Sequence, residues 1–264
     1  MIPRVLTIAG SDSGGGAGIQ ADIKTFTALG VYGMSAITSI TAQNTVGVFE
    51  IYDLPPSMVY RQIKVVVEDI GVDAIKTGML SSEDIVRVVA KAVKELNLKP
   101  LVVDPVMRAK SKDPLLKYTA KKALMEELIP LATIVTPNLS EAQDMCGFEV
   151  KTLKDMEKAC KVIHSLGADY VVVKGGHLEG DKKTDVFYDG ENFYYLEGRG
   201  VPTKNTHGTG CTFSSAIAAF LAKGEDPLQA VKKAKEYIQG AIEHSLSLGQ
   251  GYGPLNHMWM FYNL

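Results

Sequence analysis

Gly208-Thr209-Gly210-Cys211 runs directly into Thr212 to Leu221, an apolar, alanine-rich stretch that reads as a helix. Glycines at a helix start leave room for an anion. The first N–H groups have no intrahelical partner, the helix dipole favours negative charge, and the missing side chains let a phosphate approach the backbone. The same glycines also suit a plain tight turn into a buried helix. Cys211 adds a second chemistry, because a helix N-terminus lowers a thiol pKa from about 8.5 to roughly 3.5 to 7.5, where a thiolate acts as base or nucleophile. Its alternative is a small buried hydrophobe. That alternative fits Cys146 and Cys160, which fall on expected helices without glycines nearby.

Two further motifs carry chemistry. Gly10-Ser11-Asp12-Ser13-Gly14-Gly15-Gly16-Ala17-Gly18 is a glycine run that can cradle a phosphate, and Gly16 to Ala21 formally matches a dinucleotide fingerprint. The context of that fingerprint is wrong, since its glycines do not follow the first strand directly and no acidic residue follows the second strand to hold a ribose. No Gly-Lys-Ser/Thr occurs, so a Walker A loop is absent. Asn138-Leu139-Ser140-Glu141 places an amide and a carboxylate three apart at an expected helix start, where they serve as an N-cap or hold Mg²⁺ directly or through water. The histidines His164, His177, His207, His244 and His257 show no metal-ligand spacing.

These residues need elements to position them. Short β-branched runs alternate with amphipathic stretches, the pattern of βαβ units and a mostly parallel sheet. The strands expected are Arg4 to Ala9, Ser35 to Ile40, Val72 to Lys76, Leu101 to Val103, Thr133 to Val135 and Tyr170 to Lys174. After Ser81, the residues Ile85, Val88, Val89, Ala92, Val93 and Leu96 share one helical face, with Ser81 and Asp84 as a capping box. Asp185 to Tyr188 and Asn192 to Leu196 flank Asp189-Gly190-Glu191 as an edge hairpin. Ligands of open parallel sheets bind beyond the carboxyl ends of the strands. Asp12, Gln43, Asn44, Asp104, Asn138, Glu141, Gly175 and Gly176 all fall there. The charged, irregular segment Arg108 to Pro114 is expected to be a mobile lid.

Composition limits the partners. The 264 residues are 46% hydrophobic and 22% charged, enough for a large core, and 28 basic against 30 acidic side chains give a formal charge of −2. There is no general attraction for nucleic acid or anionic lipid, and no apolar stretch approaches the ~20 residues that span a bilayer. Three scattered cysteines fit a reducing compartment, so a cytoplasmic location is expected. No linker or repeat divides the chain, and residues 1–264 are read as a single domain.

The motifs Ala9 to Asp22, Ala42-Gln43-Asn44-Thr45, Thr136-Pro137-Asn138-Leu139-Ser140-Glu141-Ala142, Val173-Lys174-Gly175-Gly176-His177 and Asn205-Thr206-His207-Gly208-Thr209-Gly210-Cys211 occur in this order. Together they resemble the hydroxymethylpyrimidine/phosphomethylpyrimidine kinases of thiamine biosynthesis, in the ribokinase superfamily. The resemblance runs from the first strand to Gly251-Tyr252-Gly253-Pro254-Leu255-Asn256-His257. It implies an α/β ribokinase-like three-layer fold, with a mostly parallel central sheet, helices on both faces and an edge hairpin. It also implies ATP and Mg²⁺ as cofactors, a small pyrimidine substrate and a homodimer. By the same resemblance Gly208, Gly210 and Cys211 are catalytic, with Cys211 as base, and Lys174 and Thr209 bind the nucleotide. Glu141, Asn138 and Asp104 attend the metal, while Gly10, Asp22, Gln43, Met79 and Val106 line the pyrimidine pocket. The amide of Gln43 suits an aminopyrimidine edge, offering both donor and acceptor. Catalysis by positioning and charge stabilisation follows, with ATP serving two successive transfers.

Three other readings compete. A pyridoxal or pyridoxine kinase of the same superfamily acts on a related ring. Some such kinases pair the Gly-Thr-Gly-Cys cysteine with one on the lid, and Val106 to Leu116 contains none. A non-catalytic pyrimidine sensor would need none of Lys174, Glu141 and Cys211. An NAD-dependent oxidoreductase lacks its fingerprint context.

Overall fold

The computed structural model describes residues 1–107, 118–176 and 182–261. The expected lid Arg108 to Pro114 and His177 lie outside them. The strands are β1 (Arg4–Asp12), β2 (Tyr32–Gln43), β3 (Val48–Asp53), β4 (Ala74–Thr77), β5 (Leu101–Val103), β6 (Ile134–Val135), β7 (Tyr170–Val173), β8 (Lys182–Tyr188) and β9 (Phe193–Arg199). The helices are α1 (Gly18–Ala28), α2 (Pro56–Asp69), α3 (Glu83–Glu95), α4 (Tyr118–Ala123), α5 (Leu139–Cys146), α6 (Leu153–His164), α7 (Thr209–Ala222) and α8 (Pro227–Glu243).

Central strands are apolar on both faces because helices cover both. In β5, Leu101 and Val103 join one core with Ile85, Val89 and Met156, whereas Val102 points the other way to Phe213, Ile217 and Tyr237. The first core packs α2 to α6 on one side of the sheet; the second packs α1, α7 and α8 on the other. Three layers result.

The sheet order is β3-β2-β1-β4-β5-β6-β7-β8-β9. The run from β2 to β7 is parallel, and the β8–β9 hairpin is antiparallel, as the sequence predicts. The opposite edge differs from expectation, since β3 pairs antiparallel with β2 and makes that border antiparallel as well. At the start of α3 the cap is Ser82, whose side chain accepts from the Ile85 amide, while Ser81 is buried and its hydroxyl lies 3.2 Å from that of Ser39. Strand order reverses direction about β1, which is flanked by β2 and β4, and this opens a crevice at their carboxyl ends.

Candidate active site

All six parallel strands deliver expected site residues to one edge: Asp12 from β1, Gln43 from β2, Met79 beyond β4, Asp104 beyond β5, Asn138 and Glu141 beyond β6, and Lys174 beyond β7. The start of α7 meets them from one helical layer. Gly208 caps that helix with φ +82°, and a Cβ there would fall 1.8 Å from the Gly16 carbonyl oxygen, so only glycine fits. Gly210 and Cys211 follow in the first turn, where amides have no intrahelical acceptor. A Cβ on Gly210 would lie 3.3 Å from Lys174 Nζ and 3.5 Å from Asp104 Oδ2. The helix start, a cation and a carboxylate therefore share one small space.

Lys174 Nζ donates to Asp104 Oδ1 at 3.0 Å, and Thr136 Oγ1 donates to the same oxygen at 3.2 Å. Burial alone would lower the Lys174 ammonium pKa, but Asp104 and Glu141 outweigh it and hold it above the ordinary lysine value. Glu141 is pushed up by burial and by Asp104, against the pull of Lys174. Its Oε2 accepts from the Asn138 amide at 2.8 Å, while Asn138 Oδ1 accepts from the Glu141 amide at 2.9 Å. The pair thus forms a reciprocal cap on α5. Asn138 consequently positions Glu141, with one acceptor position of its side-chain oxygen taken by the cap. Among the described residues no three His, Cys, Asp or Glu side chains converge as a metal cage. Asp104 and Glu141 near the α7 start suit Mg²⁺, which takes one or two carboxylates and completes its shell with phosphate and water.

The first glycine run departs from expectation. Asp12 Oδ1 accepts from the Gly14 amide at 2.8 Å, and Oδ2 accepts from Gly16 at 3.1 Å and Ala17 at 2.8 Å. The amides that would cradle a phosphate are filled by the loop's own carboxylate. His207 Nε2 adds a fourth contact at 2.8 Å. Burial would raise the Asp12 pKa, yet His207 and these amides bring it below the usual carboxylate range.

Around the β1/β4 crevice, Met79 packs on Gly10, with Sδ 3.1 Å from where a Cβ on Gly10 would lie. Gln43 Oε1 accepts from Thr41 at 3.2 Å, and its Nε2 is 3.5 Å from the His207 ring. Val106, half-buried, follows Asp104 and donates its amide to the Asp104 carbonyl at 2.8 Å. Thr209 Oγ1 donates to the Thr206 carbonyl at 2.8 Å. Asp22 is placed otherwise than expected. Its side chain is 0% exposed, and both oxygens are used by Thr7, Lys76 and Ser215, so it does not face the crevice.

Cys211 also differs. Burial pushes its thiol up to about 11, and the nearby positive charge of Lys76 only partly offsets this. A depressed pKa needs a solvated or strongly cationic surrounding, and at the half-buried Cys211 desolvation outweighs the pull of Lys76. Sequence reasoning missed two features altogether: the Asp12–His207 contact and Lys76, a wholly buried lysine inside β4. The visible signal for Lys76 was its charge within the apolar run Ala74-Ile75-Lys76.

A solved structure of a Bacillus subtilis pyridoxal kinase in complex with ADP superposes on the whole chain with TM-score 0.93 at 46% identity, covering 100% of both. With the three-layer sheet described above, the chain is a phosphotransferase of ribokinase-like fold. The phosphomethylpyrimidine kinase family model matches residues 12–256, and the chain belongs to that family. The hydroxymethylpyrimidine/phosphomethylpyrimidine kinase of Bacillus subtilis is 46% identical, over 97% of this chain and 95% of that protein. A pyridoxine kinase of the same organism is 48% identical over 96% and 95%. The chain spans about half, 52%, of a bifunctional thiamine biosynthesis protein from Geobacter sulfurreducens that is 48% identical over 96% of this chain.

Proposed function

We propose that this chain transfers the γ-phosphoryl group of ATP to the hydroxymethyl oxygen of 4-amino-5-hydroxymethyl-2-methylpyrimidine, and a second one to the resulting monophosphate, giving the pyrophosphate used in thiamine biosynthesis. The observation that carries this reading is the meeting of Gly210 with Lys174 and Asp104 beside the Gly10–Met79 crevice. In this reading a phosphoryl group at the α7 amides faces a pyrimidine bound in the crevice at the carboxyl ends of β1 and β4. Kinase activity belongs to the family; the order of the two transfers and the residue roles are the proposal.

In this mechanism the Gly210 and Cys211 amides hold the transferring group and stabilise its charge. Lys174, released from Asp104, meets the nucleotide phosphates. Glu141 and Asp104 are the residues that would hold Mg²⁺, which when bound would neutralise phosphate charge. Gln43 orients the ring edge. Cys211 receives the hydroxyl proton in the first transfer only, because the monophosphate oxygen of the second is already anionic. With a thiol near 11, the first transfer draws on a small thiolate fraction that grows with pH.

The rival reading, a pyridoxal or pyridoxine kinase, is supported by the full-length similarity to enzymes of that name. Turnover of the purified protein with ATP and Mg²⁺ on hydroxymethylpyrimidine, its monophosphate and pyridoxal decides between them. A kcat/KM greater on pyridoxal than on hydroxymethylpyrimidine overturns our reading.

Two coarser properties belong here as well. Among the described residues no helix is long and apolar enough to cross a membrane, and three free cysteines accord with a cytoplasmic location. Phe49, Ile51 and Tyr52 on edge strand β3 are exposed to 70%, 38% and 64%. Such a border fits pairing with a second copy of the chain, and light scattering of the purified protein should give a dimer mass.

A further inference from the structure

Lys76 is 0% exposed, and its Nζ lies 3.0 and 2.9 Å from the two oxygens of Asp22. Thr7 Oγ1 on β1 and Ser215 Oγ on α7 each donate to that carboxylate at 2.6 Å. One buried ion pair therefore ties α1, β1, β4 and α7 together. Ser215 stands four residues after Cys211, on the same face of α7. A buried pair is a poor source of net stability, since apolar residues of similar volume often serve as well or better. Stability alone does not account for a lysine here.

We propose that Lys76 is a positioning residue for phosphoryl transfer: gripped by Asp22 beneath the first turns of α7, it fixes the helix start that carries Gly210 and Cys211 and places a buried positive charge near the Cys211 thiol. The inference rests on the reading that Cys211 adjoins the reacting hydroxyl. The charged groups acting on Cys211 are Lys76 from β4, Lys174 beyond β7, Asp22 from α1 and Asp104 beyond β5, with the Gly18 amide at the start of α1. Lys76 favours the thiolate, and the two carboxylates oppose it.

The test is the rate of iodoacetamide alkylation at Cys211, followed by peptide mass spectrometry at about pH 8.5, where thiolate fraction sets the rate. It is run on the wild type, Lys76→Gln, Asp22→Asn and the double variant. Lys76→Gln should slow alkylation about fivefold or more, Asp22→Asn should accelerate it, and the double variant should lie within about threefold of wild type. Lys76→Gln should also lower kcat of the first transfer about tenfold, with KM for the pyrimidine within about threefold. Mere loosening of the site would expose the thiol and speed alkylation in both single variants; that result, or no change in either, overturns the proposal. If a single variant fails to fold, the double variant decides, because it leaves no unpaired buried charge. About a tenfold loss of first-transfer kcat at a wild-type melting temperature supports the proposal, and a wild-type rate overturns it. A wild type that does not phosphorylate the pyrimidine refutes the functional reading instead, and the opposite alkylation shifts then decide the role of Lys76.

Discussion

His207 Nε2 lies 2.8 Å from Asp12 Oδ2, and this contact joins the loop that leaves β1 to the turn that enters α7. The carboxylate can only accept, so Nε2 carries the ring proton. Asp12 simultaneously closes the glycine loop on itself through the Gly14, Gly16 and Ala17 amides. The loop that leaves β1 and the turn that enters α7 are therefore held in register by one side chain.

Asp12→Asn should loosen this junction. The amide nitrogen of the variant confronts N–H donors, and a buried unsatisfied donor costs about 1 to 3 kcal/mol. A lowered melting temperature is expected, with both phosphoryl transfers slowed by similar factors because the whole helix start is displaced. Wild-type melting and turnover would show that the junction is dispensable.

The sequence revealed the sheet better than the site. Leu101 to Val103 is legible because three consecutive buried apolar residues have one reading in an α/β chain. Strand β3 is not, because Phe49, Glu50, Ile51 and Tyr52 are all exposed and show no buried alternation. Ser81 and Ser82 are adjacent and both able to cap, so pattern alone cannot choose between them. Within the site, Lys174 and Glu141 were placed by motif. The resemblance alone links Asp22 to the ring edge, and its partner Lys76, 54 residues away, is invisible to local spacing. The Cys211 expectation followed the helix dipole and could not include the burial that outweighs it.

Gln43→Ala should weaken pyrimidine binding, by about 1 to 3 kcal/mol for a lost hydrogen bond that a buried ligand group cannot replace. ATP affinity should change little, since Gln43 stands with Thr41 and His207 on the crevice side. Calorimetric titration of each ligand separates the two, and an unchanged pyrimidine affinity would relocate the pocket.

Glu141→Gln should lower turnover more than nucleotide affinity. An interaction realised in the transition state acts on kcat with little effect on ground-state binding. Raising Mg²⁺ should restore part of the loss. Full turnover at ordinary Mg²⁺ would confine Glu141 to its capping of α5.

His257 gives a pH prediction. Burial, with a smaller contribution from Lys24, lowers its pKa from 6.5 to about 4, and its Nε2 is 3.0 Å from Thr212 Oγ1 on α7. A depressed histidine contributes stability that is complete above the unfolded value of about 6.5 and is lost as pH falls towards 4. Over that window the loss is of order 3 kcal/mol. Urea unfolding should show wild type ahead of His257→Gln at neutral pH, with the gap closing towards pH 4. A gap constant with pH would show that His257 does not titrate with folding.

The central claim is that Cys211 receives a proton in the first transfer and not in the second. Cys211→Ala should preserve the fold, since Ala suits a first helical turn and removes little volume. Single-turnover rates with hydroxymethylpyrimidine and with its monophosphate, measured side by side in this variant and in wild type, test the claim. The first transfer should fall roughly 10²- to 10⁴-fold, the usual contribution of a positioned base. The second should fall much less, because the Gly210 amide still faces the transferring group. Equal losses on the two substrates, or none on either, would contradict the account.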